Sequence, residues 1–272
     1  MSDQVQKMRI TISSAVVWRI IAELMRRHGT KHDIKVLQVH PGISIRGCYY
    51  LLFDAPLDRL GDATILILNL GGPSGTYSIR RKGAPETERE RDFFFEMLGG
   101  DAVVFLDRID GDLGLKTPKK LPPSTPAVLV ARTIASCLEE LALSPWHMRT
   151  TTAWVDASAY GPYIAAWTRH FLPDAAKIKA QGKSGELSFA KGYSKLCRFV
   201  ALHPCGDSET SALDETHEEQ ALALFDFQTG RVLLIADGKL VGEIDLPSEY
   251  EKQGRTLRAI CSRLRGHLES VK

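Results

Sequence analysis

No run in this chain approaches the about 20 consecutive apolar residues that a membrane-spanning helix needs. The densest runs, Ala63–Leu70 and Arg231–Ala236, are less than half as long. Met1 to Met8 is polar and lacks the apolar core of a signal peptide. These two absences lead us to expect a cytoplasmic protein with no membrane partner. Cysteine is scarce and odd in number: Cys48, Cys137, Cys197, Cys205 and Cys261. No disulfide framework follows, and Cys48, Cys137 and Cys261 lie within apolar patterns, as reduced, buried cysteines do. An excess of one charge is missing too. The 35 Lys and Arg against 33 Asp and Glu leave +2, short of what a protein neutralising many phosphates carries, so nucleic acid is not an expected partner. What is present is a hydrophobic share of 44% over 272 residues, enough for a packed core in one large domain or two modest ones.

Catalytic and metal motifs are equally sparse. Gly71–Thr76 follows a strand candidate, as a phosphate loop does, but no Lys-Ser/Thr pair opens a helix after it, and Gly182-Lys183-Ser184 lacks both the leading glycine and a preceding strand. Ser74 has Gly72 before it but Thr76 where a nucleophile elbow needs glycine. Cys197, His203, Cys205 and His217 contain no close Cys-x-x-Cys pair, and Asp107, Asp110 and Asp112 are spaced wrongly for a calcium loop and read as a solvated turn. The expectation is no catalytic residue, no cofactor and no metal. Two basic features, Arg80-Arg81-Lys82 and the Arg255, Arg258, Arg263 and Arg265 set, read as solvated faces.

Periodicity organises the chain as two α+β lobes. A helix is expected from Ser13 to His28, with Val17, Ile20, Ile21 and Leu24 on one face and Trp18 off it. Strands follow at Ile34–His40, Cys48–Asp54, Ala63–Leu70 and Thr76–Arg80, then a helix at Pro85–Leu98 and a strand at Ala102–Leu106. Asp110–Pro123, with three prolines and little apolar content, is the expected linker, giving lobes of residues 1–115 and 116–272. The second lobe opens with a helix capped by Ser124 or Thr125, with Pro126 in its first turn and Val130, Ile134, Cys137, Leu138 and Leu141 as its stripe. Strands are expected at Met148–Val155, Cys197–Leu202, Ala221–Gln228, Arg231–Ala236 and Lys239–Leu246. The Asp237-Gly238 pair is a hairpin turn, and a helix from about Ser248 ends the chain. Meanders rather than alternation with helices predict mainly antiparallel sheets.

Large rings stand out. Besides Trp18 and Phe93-Phe94-Phe95, the residues Trp146, Trp154, Tyr160, Tyr163, Trp167 and Phe171 crowd one stretch. Either they fill a thick core or contact between lobes, or Trp18, Trp154, Tyr160 and Trp167 line a groove for a partner.

The run Trp18-Arg19-Ile20-Ile21-Ala22-Glu23-Leu24, then Arg26-Arg27-His28, His40-Pro41-Gly42, Tyr49 and Leu68-Asn69 resembles a bacterial family. Pro122-Pro123-Ser124-Thr125-Pro126, Trp146 and Asp156-Ala157-Ser158-Ala159-Tyr160-Gly161 fit it too. The family shares the type III secretion chaperone and YbjN-like peptide-binding (TY-Chap-type) fold. The resemblance implies an uncharacterised, non-enzymatic, chaperone-like or adaptor protein that binds a peptide or protein partner, with some relatives acting in bacterial conflict systems. The alternative reading is an enzyme or small-ligand sensor with a site assembled from distant residues, for instance His40, Arg46, Asp54 and Tyr77. The residues leave the oligomeric state open.

Overall fold

The computed structural model describes residues 3–39, 48–54, 64–69, 75–81, 83–85, 87–90, 102–143, 147–153, 199–205, 222–236, 239–247 and 250–270. It is an α+β fold with two five-stranded antiparallel sheets. Helix α1 (Asp3–His28) is followed by β1 (Ile34–Val39), β2 (Cys48–Phe53), β3 (Thr64–Asn69), β4 (Thr76–Arg80) and β5 (Thr87–Glu90), paired in that order, and by α2 (Ala102–Leu113). The second half repeats the plan. Helix α3 (Pro126–Leu141) leads into β6 (His147–Ala153), β7 (Phe199–Cys205), β8 (Leu222–Asp226), β9 (Arg231–Ala236) and β10 (Lys239–Asp245), again a meander, and α4 (Tyr250–Ser270) closes it. The helix ends His28 and Leu141, and the strand starts Ile34 and His147, are both 113 residues apart. At the same step Val17, Ile21 and Met25 fall on Val130, Ile134 and Leu138, all buried. Two copies of one plan therefore share the molecule.

They also share one core. Alternate residues of both sheets face inward, as the two-residue period of a strand requires: Tyr49, Leu51 and Phe53 of β2, Leu66 and Leu68 of β3, Val200 and Leu202 of β7, Val232 and Leu234 of β9. They join α1, α2, α3 and α4 in a single apolar cluster. Helices α1 and α3 pack together and are buried nearly all round, which explains why Trp18, off the main stripe, is still 0% exposed. The edge strands β1 and β6 adjoin, so the two sheets meet beneath that helix pair. The opposite faces are apolar as well: Ile65, Ile67 and Tyr50 form a small second cluster on the first sheet.

Local chemistry sets the element ends. Thr125 caps α3 by accepting from the Val128 amide at 3.4 Å, with Pro126 in the first turn. At the β8–β9 turn, Asp226 accepts from the Gln228 amide at 2.9 Å and the Thr229 hydroxyl at 2.8 Å. Gly230 follows at φ 73°, a conformation other side chains disfavour. Ala236 pairs with Lys239, the two-residue hairpin spacing expected of Asp237-Gly238.

Four expectations about the elements need correction. The first is the start of α1, which begins at Asp3, ten residues before the expected Ser13. Within the expected helix Pro85–Leu98, Thr87–Glu90 is instead the edge strand β5, paired from Thr76↔Glu90 to Ile79↔Thr87. Its glutamates favour helix locally, but backbone pairing to β4 overrides that preference, and charged side chains suit a sheet edge. Ala102–Leu106 is the start of α2, not a strand: Phe105, Leu106, Ile109 and Leu113 are buried at helical spacing, which a five-residue window cannot reveal. The expected linker begins late, because Asp110–Leu113 belongs to α2; residues 114–125 carry no helix or strand. The expected helices around Tyr163–Phe171 and Asp174–Gln181 lie outside the described residues.

Candidate functional site

The two halves are joined by a buried polar node. Trp18 of α1 donates its Nε1–H to the Thr150 hydroxyl of β6 at 3.1 Å, and the Tyr49 hydroxyl of β2 lies 3.1 Å from the same oxygen. The indole meets Tyr49 edge-on at 5.7 Å and stacks on Phe227 at 6.1 Å. Burying an indole and a phenol requires a partner for each polar tip, and Thr150 serves both. Thr150→Val keeps the shape and removes that partner, so it is expected to cost about 2 kcal/mol in urea unfolding.

A second network fastens α2 to the end of α1. Asp107 and Asp110, three residues apart and hence on one helix face, meet Arg27: its Nη1 lies 2.7 Å from Asp107 and 2.8 Å from Asp110. His28 Nε2 is 2.7 Å from the other Asp110 oxygen, and the Thr117 hydroxyl donates to Asp110 at 3.2 Å. Burial pushes the Asp110 carboxyl up, but hydrogen bonds from His28 and Arg27, with their charges, outweigh it and hold the group below its usual range. Asp112 turns the other way and accepts from the Tyr77 hydroxyl at 2.9 Å, while its carbonyl accepts from Arg81. The expected solvated turn at Asp107, Asp110 and Asp112 is thus a helix carrying a buried ion-pair network, with Asp110 1% exposed.

Outside these networks lies the polar rim of the α1–α3 pair. Arg19 pairs with Glu139, and Arg26 approaches Arg132, so the two helices run antiparallel. On the far side of α3, Arg265 of α4 donates to the carbonyl and carboxylate of Glu140 at 2.8 and 2.9 Å. Cys137 and Cys261 are free thiols in mutual contact within the α3–α4 seam. The hydrogen bond to Cys261 and burial push the Cys137 thiol well above its usual range, which makes it a poor nucleophile.

Of the four rings expected to line a partner groove, Trp18 lies in the core, 0% exposed, and so offers no surface. Trp154, Tyr160 and Trp167 lie outside the described residues, as do His40 and Arg46. Asp54 and Tyr77 are not brought together. Tyr77 is in register with Leu68 and through it with Tyr49, five residues along β2 from Asp54, or about 16 Å of strand. Asp54 instead accepts from the Asp33 amide at 2.9 Å and bonds His32, at the open end of the β1–β2 pair where the chain enters β1 and leaves β2. Cys197 and His217 lie outside the described residues, and among those described no three His, Cys, Asp or Glu side chains are grouped to hold a metal. No helix among the described residues is long and apolar enough to cross a membrane. Periodicity did not foretell the ion-pair network, although Asp107 and Asp110 at helical spacing were its visible sign.

A chain built of two helix–meander–helix halves around one core is a tandem α+β module. Residues 15–270 match the family model described as "TY-Chap2: T3SS (YopN, CesT) and YbjN peptide-binding chaperone 2". The chain belongs to this family of peptide-binding, chaperone-type proteins. No curated protein and no solved structure matches it.

Proposed function

We propose that the protein is a non-enzymatic holder of an extended peptide or unfolded partner segment, which adds as a strand to the outer edge of β10. The observation that carries this reading is the family match across residues 15–270. The geometry offers a surface for it. Strand β10 pairs with β9 alone among the described residues, and its side chains alternate, with Val241, Glu243 and Asp245 outward and Ile244 packed against the core. An added strand gains affinity from backbone hydrogen bonds and specificity from alternate side chains. The bulge between Leu240 and Gly242 and the outward Glu243 and Asp245 blunt self-association at that edge. The opposite outer edge, β5, is the shorter strand Thr87-Glu88-Arg89-Glu90.

The non-enzymatic part is supported by the same family match. His28 and His32 bond to Asp110 and Asp54, and among the described residues neither hydrogen-bonds a hydroxyl or thiol that it could activate. In this reading the protein works in the cytoplasm, as an adaptor in a bacterial conflict system. The test is amide hydrogen exchange with a peptide selected from a displayed random library. Amides of residues 239–245 are expected to exchange about tenfold or more slowly in the complex, with β3 unchanged. A bound peptide that leaves β10 exchange unaltered would falsify the edge reading.

A further inference from the structure

The internal repeat makes a prediction about α1 and α3 that the chain does not obey. Helices related by a pseudo-two-fold should repeat their cross-pairs. Arg19 of α1 pairs with Glu139 of α3. The 113-residue step carries Arg19 onto Arg132, and the position equivalent to Glu139 in α1 is residue 26. Symmetry therefore asks for an acidic residue at 26, opposite Arg132. The residue is Arg26, so two cations share one level of the seam where the other end has an ion pair, near enough for the Arg26 charge to act on Arg132.

The mismatch is not neutralised nearby. Glu23 is the shared carboxylate, and it reaches neither neighbour closely: 3.9 Å from Arg26 Nη1 and 3.7 Å from Arg27 Nε. Arg27 is engaged through Nη1 by Asp107 and Asp110, although its buried Nε has no hydrogen-bond partner, and Arg132 makes no hydrogen bond or ion pair among the described residues. Burial lowers the pKa of Arg132, and the Arg26 charge lowers it further against a smaller opposing effect of Glu23. The Arg26 Nε is buried with no hydrogen-bond partner. Both side chains are still open to a ligand, Arg26 being 31% exposed and Arg132 half-buried.

We propose that Arg26 and Arg132 form a carboxylate receptor on the α1–α3 seam, which takes an Asp or Glu side chain from a stretch of the bound peptide beyond the one paired to β10, since that edge lies four strands, or about 19 Å, from β6. Two planar forks side by side match the oxygens of one oxyanion, and an incoming negative charge turns a repulsive contact into a bridged one. Glu23 sits beside the pair, and Glu139 two turns along the seam is taken by Arg19, so the patch accommodates one oxyanion rather than a phosphate track. The proposal rests on the peptide-binding reading and specifies the chemistry of the partner.

The experiment compares the full chain with Arg132→Gln. The variant removes an unpaired charge and its repulsion, so its Tm at low salt is expected to equal or exceed that of the parent. Each protein is used to select from a displayed random peptide library. The parent is expected to enrich Asp- and Glu-containing peptides and to bind one about tenfold more tightly than its Asn/Gln counterpart, a difference that shrinks as salt rises. Arg132→Gln is expected to show neither bias. Selection of peptides with no acidic preference, or undiminished preference in the stable variant, overturns the receptor while leaving peptide binding intact. Failure of the parent to select any peptide overturns the peptide-binding reading, and this proposal with it.

Discussion

Replacing Trp18 with alanine is expected to lower stability by about 3–5 kcal/mol, the cost of removing a large ring from a packed core. The indole is 0% exposed, packs on Tyr49 and Phe227, and donates to Thr150. Truncation leaves a cavity where three elements from both halves meet, and it strips Thr150 of a hydrogen-bond donor. Trp18→Phe fills most of the space and is expected to cost less, about 2 kcal/mol, chiefly through the lost N–H. Urea unfolding followed by circular dichroism reads both. A Trp18→Ala protein as stable as the parent but poor at peptide binding would reverse the assignment and return the ring to a partner surface.

Asp110→Asn is expected to cost about 3–5 kcal/mol at neutral pH, because it leaves Arg27, 6% exposed, with a deeply buried charge answered only by the more exposed Asp107 and by Glu23 at 3.7 Å. The pH dependence has a definite sign. The folded state holds the Asp110 carboxyl below its usual range, against about 3.9 in an unfolded chain. Its contribution is therefore present above about pH 4 and is lost as pH falls through the lower, folded-state value. The parent should lose stability steeply in acid, and Asp110→Asn should show a flatter profile from a lower start. Urea midpoints across the acid range decide this; parallel profiles for the two proteins would remove Asp110 from the account.

The elements most legible in the sequence were those fixed by local chemistry. Thr125 before Pro126 marks the start of α3, Asp237-Gly238 spaces β9 from β10, and β9 falls at Arg231–Ala236 as its apolar run implies. Both sheets are antiparallel meanders, as the absence of alternating helices required. The errors came where a distant partner decides. Thr87–Glu90 becomes a strand only because β4 offers its edge, and Ala102–Leu113 is a helix whose stripe extends past the window that suggested a strand. Trp18 looked surplus on a one-sided helix, but α1 is enclosed by α3 and β6, elements more than 100 residues away. The pairing of Arg27 with Asp110 is equally remote, 83 positions apart, and no periodicity encodes it. Peptide-binding character was legible through family resemblance, whereas the Arg26–Arg132 contact emerges only when the two halves are placed together.

The Trp18–Thr150 bond spans 132 positions, and that separation is also a delay. A ribosome adding about 5–20 residues per second makes Trp18 roughly 7–26 seconds before Thr150. Throughout that interval a helix that ends up buried nearly all round waits without the strand that will cover Trp18. Strand β2 and helix α2 cover part of α1 as they are made, but the face that packs along α3 stays open until that helix follows, 113 residues later.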